Sequence, residues 1–436
     1  MPGFFTTLRR ALSDLPRHEP IYEEVEETNR FNEQVASLKS LARSSRSNVQ
    51  TLIERATHGS LTGTFTAAQV RHWRLTSSNL LASSSLTYNA WMGSLVREAI
   101  ELICDLVCRT CDLNRRSQHA HWVRYVIEAW CDAAGMFPGD YVIPDTVNVD
   151  AELPPFAQFV VNFGVRYKAR RISYVLHEIN ATYQLDAEAF SPPLDFDLVD
   201  ELKRQVGNSL RSLYVFETPQ FLNRLPLATI RQLFCPPESG PRPHPIQFVS
   251  LRHTELTDLF ASIGTVCGLA GISGDLDDLL SSPLVMSLHP KLREAVLSGY
   301  LGWPYSDIVL LPAINALGLN GNTFEEVLVD RISPKDARSV CIGSDCAPLR
   351  GETAIGFGGF LDRASRQNDY LWGRIHAIDR LIDIIASSLD PAGDANLPDF
   401  AAFKKSAFKR VLVDEGDRLA DVHELVEAVR SAVAKL

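Results

Sequence analysis

Residues 356–389 read GFGGFLDRASRQNDYLWGRIHAIDRLIDIIASSL, and the second half of this stretch decides the fold class. Leu371, Ile375, Ile378, Ile382 and Ile385 recur at steps of four, three, four and three, the spacing that aligns side chains along one face of an α-helix. It predicts a helix over residues 361–389 that buries this face. The approach to the helix is unusual: residues 356–374 contain four glycines, three arginines, Phe357 and Phe360 beside glycine, and Asn368 followed by Asp369. Gly373 stands inside the helical pattern, where glycine costs about 1 kcal/mol relative to alanine. A close approach of another segment to the backbone is the expected compensation.

The same periodicity runs through most of the chain, so the expected fold class is mainly α, a multi-helix two-layer arrangement. Helices are expected over residues 20–58 (as one or two, opening on EEVEE at 23–27), 66–82, 88–111, 119–134, 156–183, 195–215, 254–269, 289–300, 399–412 and 417–436. Residues 137–155, FPGDYVIPDTVNVDAELPP, have the proline and aspartate content of a linker. This divides the chain into an N-terminal helical region (1–136), the linker, a second helical region (156–390) and closing helices (391–436). Alternation of β-branched and charged residues at 327–332, with Val340 and Ile342 beyond, predicts a small β element at about 325–345.

Of the 436 residues, 45% are hydrophobic and 22% charged, ordinary proportions for a globular chain with a real core. A net charge of −10 argues against a nucleic-acid partner. Residues 1–20 hold Arg9 and Arg10 but no apolar core of secretory length. The longest apolar stretches, 307–319 (interrupted by Pro312) and 260–274, fall short of the roughly twenty residues that span a bilayer. The chain therefore reads as cytoplasmic, with any membrane contact peripheral. Eight cysteines in this length make no disulfide framework and are expected as reduced thiols.

Four stretches carry a resemblance. FGGFLDRASRQNDYLWGRIHAIDRLI at 357–382 is similar to a segment of the C-terminal region of bacterial and fungal patatin-related proteins, with Ile375 where leucine is usual. VLVDRISPKDA at 327–337, YLGWPYSDIVLLP at 300–312 and the arginine-rich RYKARRISYVLHEIN at 166–180 resemble further parts of that region. Patatin-like phospholipases use a serine in G-x-S-x-G on a strained strand-to-helix turn and an aspartate in a D-G-[GA] turn. The chain contains neither, GISGD at 271–275 being the nearest approach. The resemblance thus implies the helical, non-catalytic accessory part of a patatin-like acyl hydrolase. Its implied partners are a patatin-type catalytic domain, in cis or in trans, and a lipid substrate or membrane surface; no cofactor is implied. Two rival readings are a lipid acyl hydrolase with a degenerate site and a freestanding helical scaffold that self-associates through residues 20–58.

Arg363, Arg366, Asn368, Asp369, Trp372, Gly373 and Arg374 form the candidate site, as a structural or interface network. Arginine pairs bidentately with carboxylates, and Asp369 is the natural partner. Other candidate chemistry has simpler explanations. Cys104, Cys108 and Cys111 have the C-x-x-x-C-x-x-C spacing of an iron–sulfur motif, but lie in an uninterrupted helical pattern as small apolar residues would. His119, His121 and Cys131 are zinc-type ligands without diagnostic spacing; the histidines read as a solvated helix start. Asp275, Asp277 and Asp278 resemble a terpene-synthase magnesium motif, but after Gly271 and Gly274 they read as a helix start with an acidic first turn. Ser344 and Asp345 read as a turn.

Overall fold

In the computed structural model the described residues are 19–84, 87–139, 153–184, 190–191, 193–235, 242–319, 324, 326–327, 332–334, 336–342, 349–350, 362–387 and 399–436. Their fold is mainly α. Helices of eight residues or more are α1 (Glu19–Thr57), α2 (Ala67–Ser84), α3 (Tyr88–Thr110), α4 (Gln118–Ala133), α5 (Pro155–Phe163), α6 (Val165–Asn180), α7 (Phe196–Leu213), α8 (Leu227–Phe234), α9 (Pro245–Cys267), α10 (Leu269–Leu280), α11 (Pro290–Leu317), α12 (Arg363–Ser387), α13 (Phe400–Glu415) and α14 (His423–Lys435). Their starts follow local chemistry. Pro155, Pro245 and Pro290 occupy first-turn positions that need no N–H. The side chains of Ser117, Asp195 and Asp399 accept first-turn N–H groups of α4, α7 and α13.

The chain divides into two units, Met1–Val327 and Leu328–Leu436. In the first, α3 is the central helix, burying Leu95, Val96, Ala99, Ile103 and Val107. It packs on α4, α5, α6 and α8, while α11 packs on α1, α2 and α6. Aromatic rings fill the gaps: Trp130 of α4 meets Phe260 of α9 edge-on, centroids 4.6 Å apart. Helices before and after residues 140–152 share this core. The single helix expected over 156–183 is broken at Gly164, where a Cβ would stand 2.5 Å from the Val160 carbonyl oxygen and 2.9 Å from Val160 Cγ1. Only glycine fits that turn between α5 and α6.

The 28-residue α11 runs well past the expected end at residue 300 and keeps Pro304 and Pro312 inside it. A proline there removes the N–H that the carbonyl four residues earlier would accept. For Pro304 that carbonyl belongs to Tyr300, and the Arg171 guanidinium donates to it instead, from Nε at 3.0 Å and Nη2 at 2.7 Å. The stretch Pro245–Ser287 is long and apolar enough, by length and composition alone, to cross a membrane, where no such segment is expected from the apolar runs of the sequence. Gly268, with φ 64°, separates α9 from α10, and Leu256, Leu259, Phe260 and Ile263 pack into the core. About a third of the most apolar window of Pro245–Ser287 is buried, while Ile246 and Leu251 are exposed.

In the second unit α12 packs on α13, and α13 on α14. Leu371, Trp372, Ile375, Phe408, Val411, Leu412, Val426 and Val429 form its core. The predicted stripe on α12 is buried only in its first half: Leu371 and Ile375 are buried, whereas Ile385 is 57% exposed. No strand forms where the β element is expected, at 325–345, among the described residues; there Ile342 alone is in a β-bridge. Residues 328–331 and 343–348, with Ser344 and Asp345, lie outside them, and Val327 and Ile332 are exposed and in no regular element. The Ser339 N–H and hydroxyl donate to the Asp379 carboxylate at 3.0 and 2.5 Å. Cys341 is disulfide-bonded, against the expected reduced thiol; Cys104, Cys108, Cys111, Cys131, Cys235 and Cys267 are free.

Gly302 of α11 faces α1, and a Cβ added there would overlap Val49 Cγ1 and come within 3.2 Å of Ile53 Cδ1. Val49 is β-branched and stiff. Gly302→Ala is therefore expected to destabilise the protein by about 1–3 kcal/mol in urea unfolding; an unchanged midpoint would contradict the close α1–α11 packing.

Candidate functional site

The residues singled out on α12 make contacts within the helix and with the segments packed on it. Gly373 is exposed, and nothing described lies within 4 Å of an added Cβ. The expected close approach at Gly373 is thus absent, and overpacking would not follow from a larger side chain there. Arg374 pairs with Glu415 of α13 at 2.8 Å, and Arg363 with Asp421 at 3.1 Å, the latter between two largely exposed groups. Asp369 accepts the Arg350 N–H at 2.7 Å and the Asn368 amide at 2.9 Å. Arg366 is exposed; Trp372 is fully buried against His376, with ring centroids 5.1 Å apart. The buried polar centre of this unit lies elsewhere. Asp379, 1% exposed, takes Lys404 at 2.5 Å besides Ser339. Burial works against its charge, but Lys404 and Ser339 prevail and hold the carboxyl below its ordinary range.

The first unit contains a larger buried polar layer, built on α6. Arg170 grips Asp307 of α11 with two bonds, Nε to Oδ1 at 2.8 Å and Nη2 to Oδ2 at 3.1 Å. Its Nη1 donates to Glu98 of α3 at 2.7 Å, and Trp91 of α3 donates its indole N–H to Asp307 Oδ2, also at 2.8 Å. Arg170 is 2% exposed and Asp307 fully buried. Burial pulls the guanidinium down, but Asp307 and Glu98 more than offset this and hold it above its ordinary value. Glu98 is shifted upward, chiefly by burial, against the pull of Arg170.

The next residue, Arg171, lies over the Tyr300 ring, 3.7 Å from its centroid, while also capping the Tyr300 carbonyl. The Tyr300 hydroxyl donates to Asp277 of α10 at 2.8 Å, and Arg74 of α2 forks onto the same carboxylate at 3.0 and 2.8 Å. Asp277 is thus a buried partner in the later part of a helix that begins at Leu269, not part of an acidic first turn. Lys168 is buried beside these arginines. Burial, aided by Arg171 and Arg74, pulls its amine down to about 7.

The other sequence candidates resolve simply. Cys104 and Cys108 lie buried in α3, and burial pushes both thiols up, away from the thiolate that metal binding needs. His119 is held rather than solvated: its Nε2–H donates to the Phe234 carbonyl at 2.6 Å. No cluster of three or more metal-ligating side chains occurs among the described residues. Beside the polar layer, a cleft of about 590 Å³ is lined by Glu98, Glu101, Asp105, Arg115, Arg166 and Arg170, among others.

Residues 270–415 match a family described as a protein of unknown function (DUF3376). No curated protein and no solved structure matches the chain. The matched stretch takes in α10, α11, α12 and α13, and so Asp277, Tyr300, Asp307, Asp379 and Glu415.

Lys168 generates a pH prediction. Its amine titrates near 10.4 in the unfolded chain and at about 7 when folded. Between those values the unfolded chain binds a proton that the folded one does not. The cost of the buried charge is therefore complete below about pH 7 and is relieved as pH rises toward 10. Lys168→Met is expected to stabilise the protein by a few kcal/mol at pH 7 and to remove the rise in stability between about pH 7 and 9.5. Equal unfolding free energies for the two proteins across that range would contradict a neutral buried amine.

Proposed function

We propose that the chain is a non-catalytic helical accessory region of a patatin-like acyl hydrolase, which packs on or regulates an α/β catalytic domain. One observation carries this reading: the strongest polar layer commits its charges to one another. Arg170 to Asp307 and Glu98, and Arg74 to Asp277, are internal ties of the kind that hold helices in register. The buried thiols are held protonated, and the Tyr300 hydroxyl is engaged by Asp277 and by its own burial, which raises it. Three of the four resembling stretches, at 300–312, 327–337 and 357–382, lie within residues 270–415, which match the family of unknown function. In this role the chain works in the cytoplasm, at the edge of a lipid surface that the catalytic partner approaches.

The test uses the purified full chain. Alone, it is expected to hydrolyse p-nitrophenyl butyrate no faster than buffer and to take no label from a fluorophosphonate. Added to a patatin-type catalytic domain from the same genome, it is expected to co-elute and to change that domain's hydrolysis rate. Turnover by the chain alone, lost on phosphonylation, would replace this reading with that of a degenerate hydrolase; no co-elution and no rate change would remove the accessory role.

A further inference from the structure

The C-terminal ends of α3 and α8 meet at a pair of thiols. Cys111 directly follows α3, and Cys235 directly follows α8. The Cys235 thiol donates to the Cys111 carbonyl oxygen at 3.9 Å, and the two side chains hydrogen-bond to each other. Arg231, four residues before Cys235, donates to the Thr110 carbonyl at 3.4 Å, so neighbouring residues at the end of α3 are both tied to α8. Cys104, Cys108, Cys131 and Cys267 are buried, whereas Cys111 and Cys235 are each partly exposed. Among the described residues, these two free thiols combine mutual contact with access to a dissolved reagent.

The two sulfurs do not hold their protons equally. Burial, and after it the hydrogen bond with Cys235, pushes the Cys111 thiol up. When Cys235 loses its proton, the Cys111 S–H is therefore the donor that faces the thiolate. The thiolate is the nucleophilic form of cysteine, which makes Cys235 the attacking sulfur and Cys111 the one that resolves.

We propose that Cys111 and Cys235 are a modification site for hydrogen peroxide, which closes them into a disulfide joining the ends of α3 and α8. In the first step the Cys235 thiolate attacks one peroxide oxygen. An S–O bond forms, the O–O bond breaks, and the hydroxide that leaves takes up a proton as water. In the second step the Cys111 sulfur gives up its proton and attacks the Cys235 sulfenic acid; the S–S bond forms, the S–O bond breaks, and a second water leaves. Two thiols are oxidised by two electrons in all, and one peroxide is reduced to two waters. The bond pins α8 to the helix that carries Trp91 and Glu98 of the polar layer, and it closes a long loop, where a cross-link restricts the unfolded chain most. The pair lies within the first unit and does not depend on the accessory role; its failure would leave that role standing.

The experiment is peptide mapping of the folded full chain after treatment with hydrogen peroxide, with the remaining thiols blocked by iodoacetamide before a non-reducing tryptic digest. Trypsin cleaves after Arg109 and Arg231, so Cys108, Cys111 and Cys235 fall on three different peptides. The expected result is a linked pair of peptides holding Cys111 and Cys235, which is lost on treatment with dithiothreitol, while Cys104 and Cys131 stay unlinked. In Cys235→Ser, Cys111 is expected to remain reduced under the same peroxide. Should that variant not fold, the map of the unaltered chain decides. Recovery of Cys111 and Cys235 both alkylated after peroxide, or a bond from Cys235 to Cys108 in place of Cys111, would overturn the proposal. So would equal oxidation of Cys111 in folded Cys235→Ser.

Discussion

The bidentate pair of Arg170 and Asp307 is the constraint on which the first unit depends. Both side chains are buried, and neither charge has water to fall back on. A buried ion pair is tolerated only when its geometry is close and its remaining lone pairs are used. Here Glu98 and the Trp91 indole complete the set, which ties α3, α6 and α11 together at one level. Hydrophobic burial supplies the driving force for folding but is tolerant of sliding; a fork of hydrogen bonds is not. The helices are thereby fixed in register, and the cleft inherits its shape from them.

Pro304 makes a second tie necessary. By withholding an N–H inside α11 it leaves the Tyr300 carbonyl open, and Arg171, next to Arg170 on α6, fills that gap. Tyr300 in turn reaches Asp277, and Arg74 joins α2 to the same carboxylate. Adjacent arginines on one helix thus reach α3, α10 and α11, either directly or through one further residue. The second unit repeats the principle on a smaller scale, with Asp379 holding Lys404 and Ser339. In both units a lone acid in a mostly apolar helix face is the anchor.

Much of the helical architecture is legible in the sequence, because apolar periodicity, N-cap residues and first-turn prolines all act locally. Starts such as those capped by Ser117, Asp195 and Asp399 fall within about two residues of expectation. Misreadings arise where tertiary contacts override local preference. Pro304 and Pro312 end a helix on local grounds, yet α11 continues because Arg171 satisfies the carbonyl that Pro304 frees. Gly373 suggested close packing, but on an exposed face it signals nothing of the kind. The candidate site was less legible. Asp307 sits in YSDIVLLP, and an acid amid so many apolar neighbours is itself a sign of a buried cation partner; the arginine-rich stretch at 166–180 was its complement. Which arginine reached it depended on the helix face turned toward α11, which spacing within one segment does not specify. Asp277 was missed because α10 begins at Leu269, earlier than its glycines suggested.

The most direct measurement of this account is a double-mutant cycle on the pair, with Arg170→Met, Asp307→Leu and the double variant followed by urea unfolding. Each single change leaves a charge buried without its partner and is expected to cost about 3–5 kcal/mol. The double variant removes both charges and is expected to cost less than the two singles together, by a coupling of about 2 kcal/mol or more. Single costs below about 1 kcal/mol with additive effects would mean that the pair does not hold α6 and α11 in register, and the account would fail.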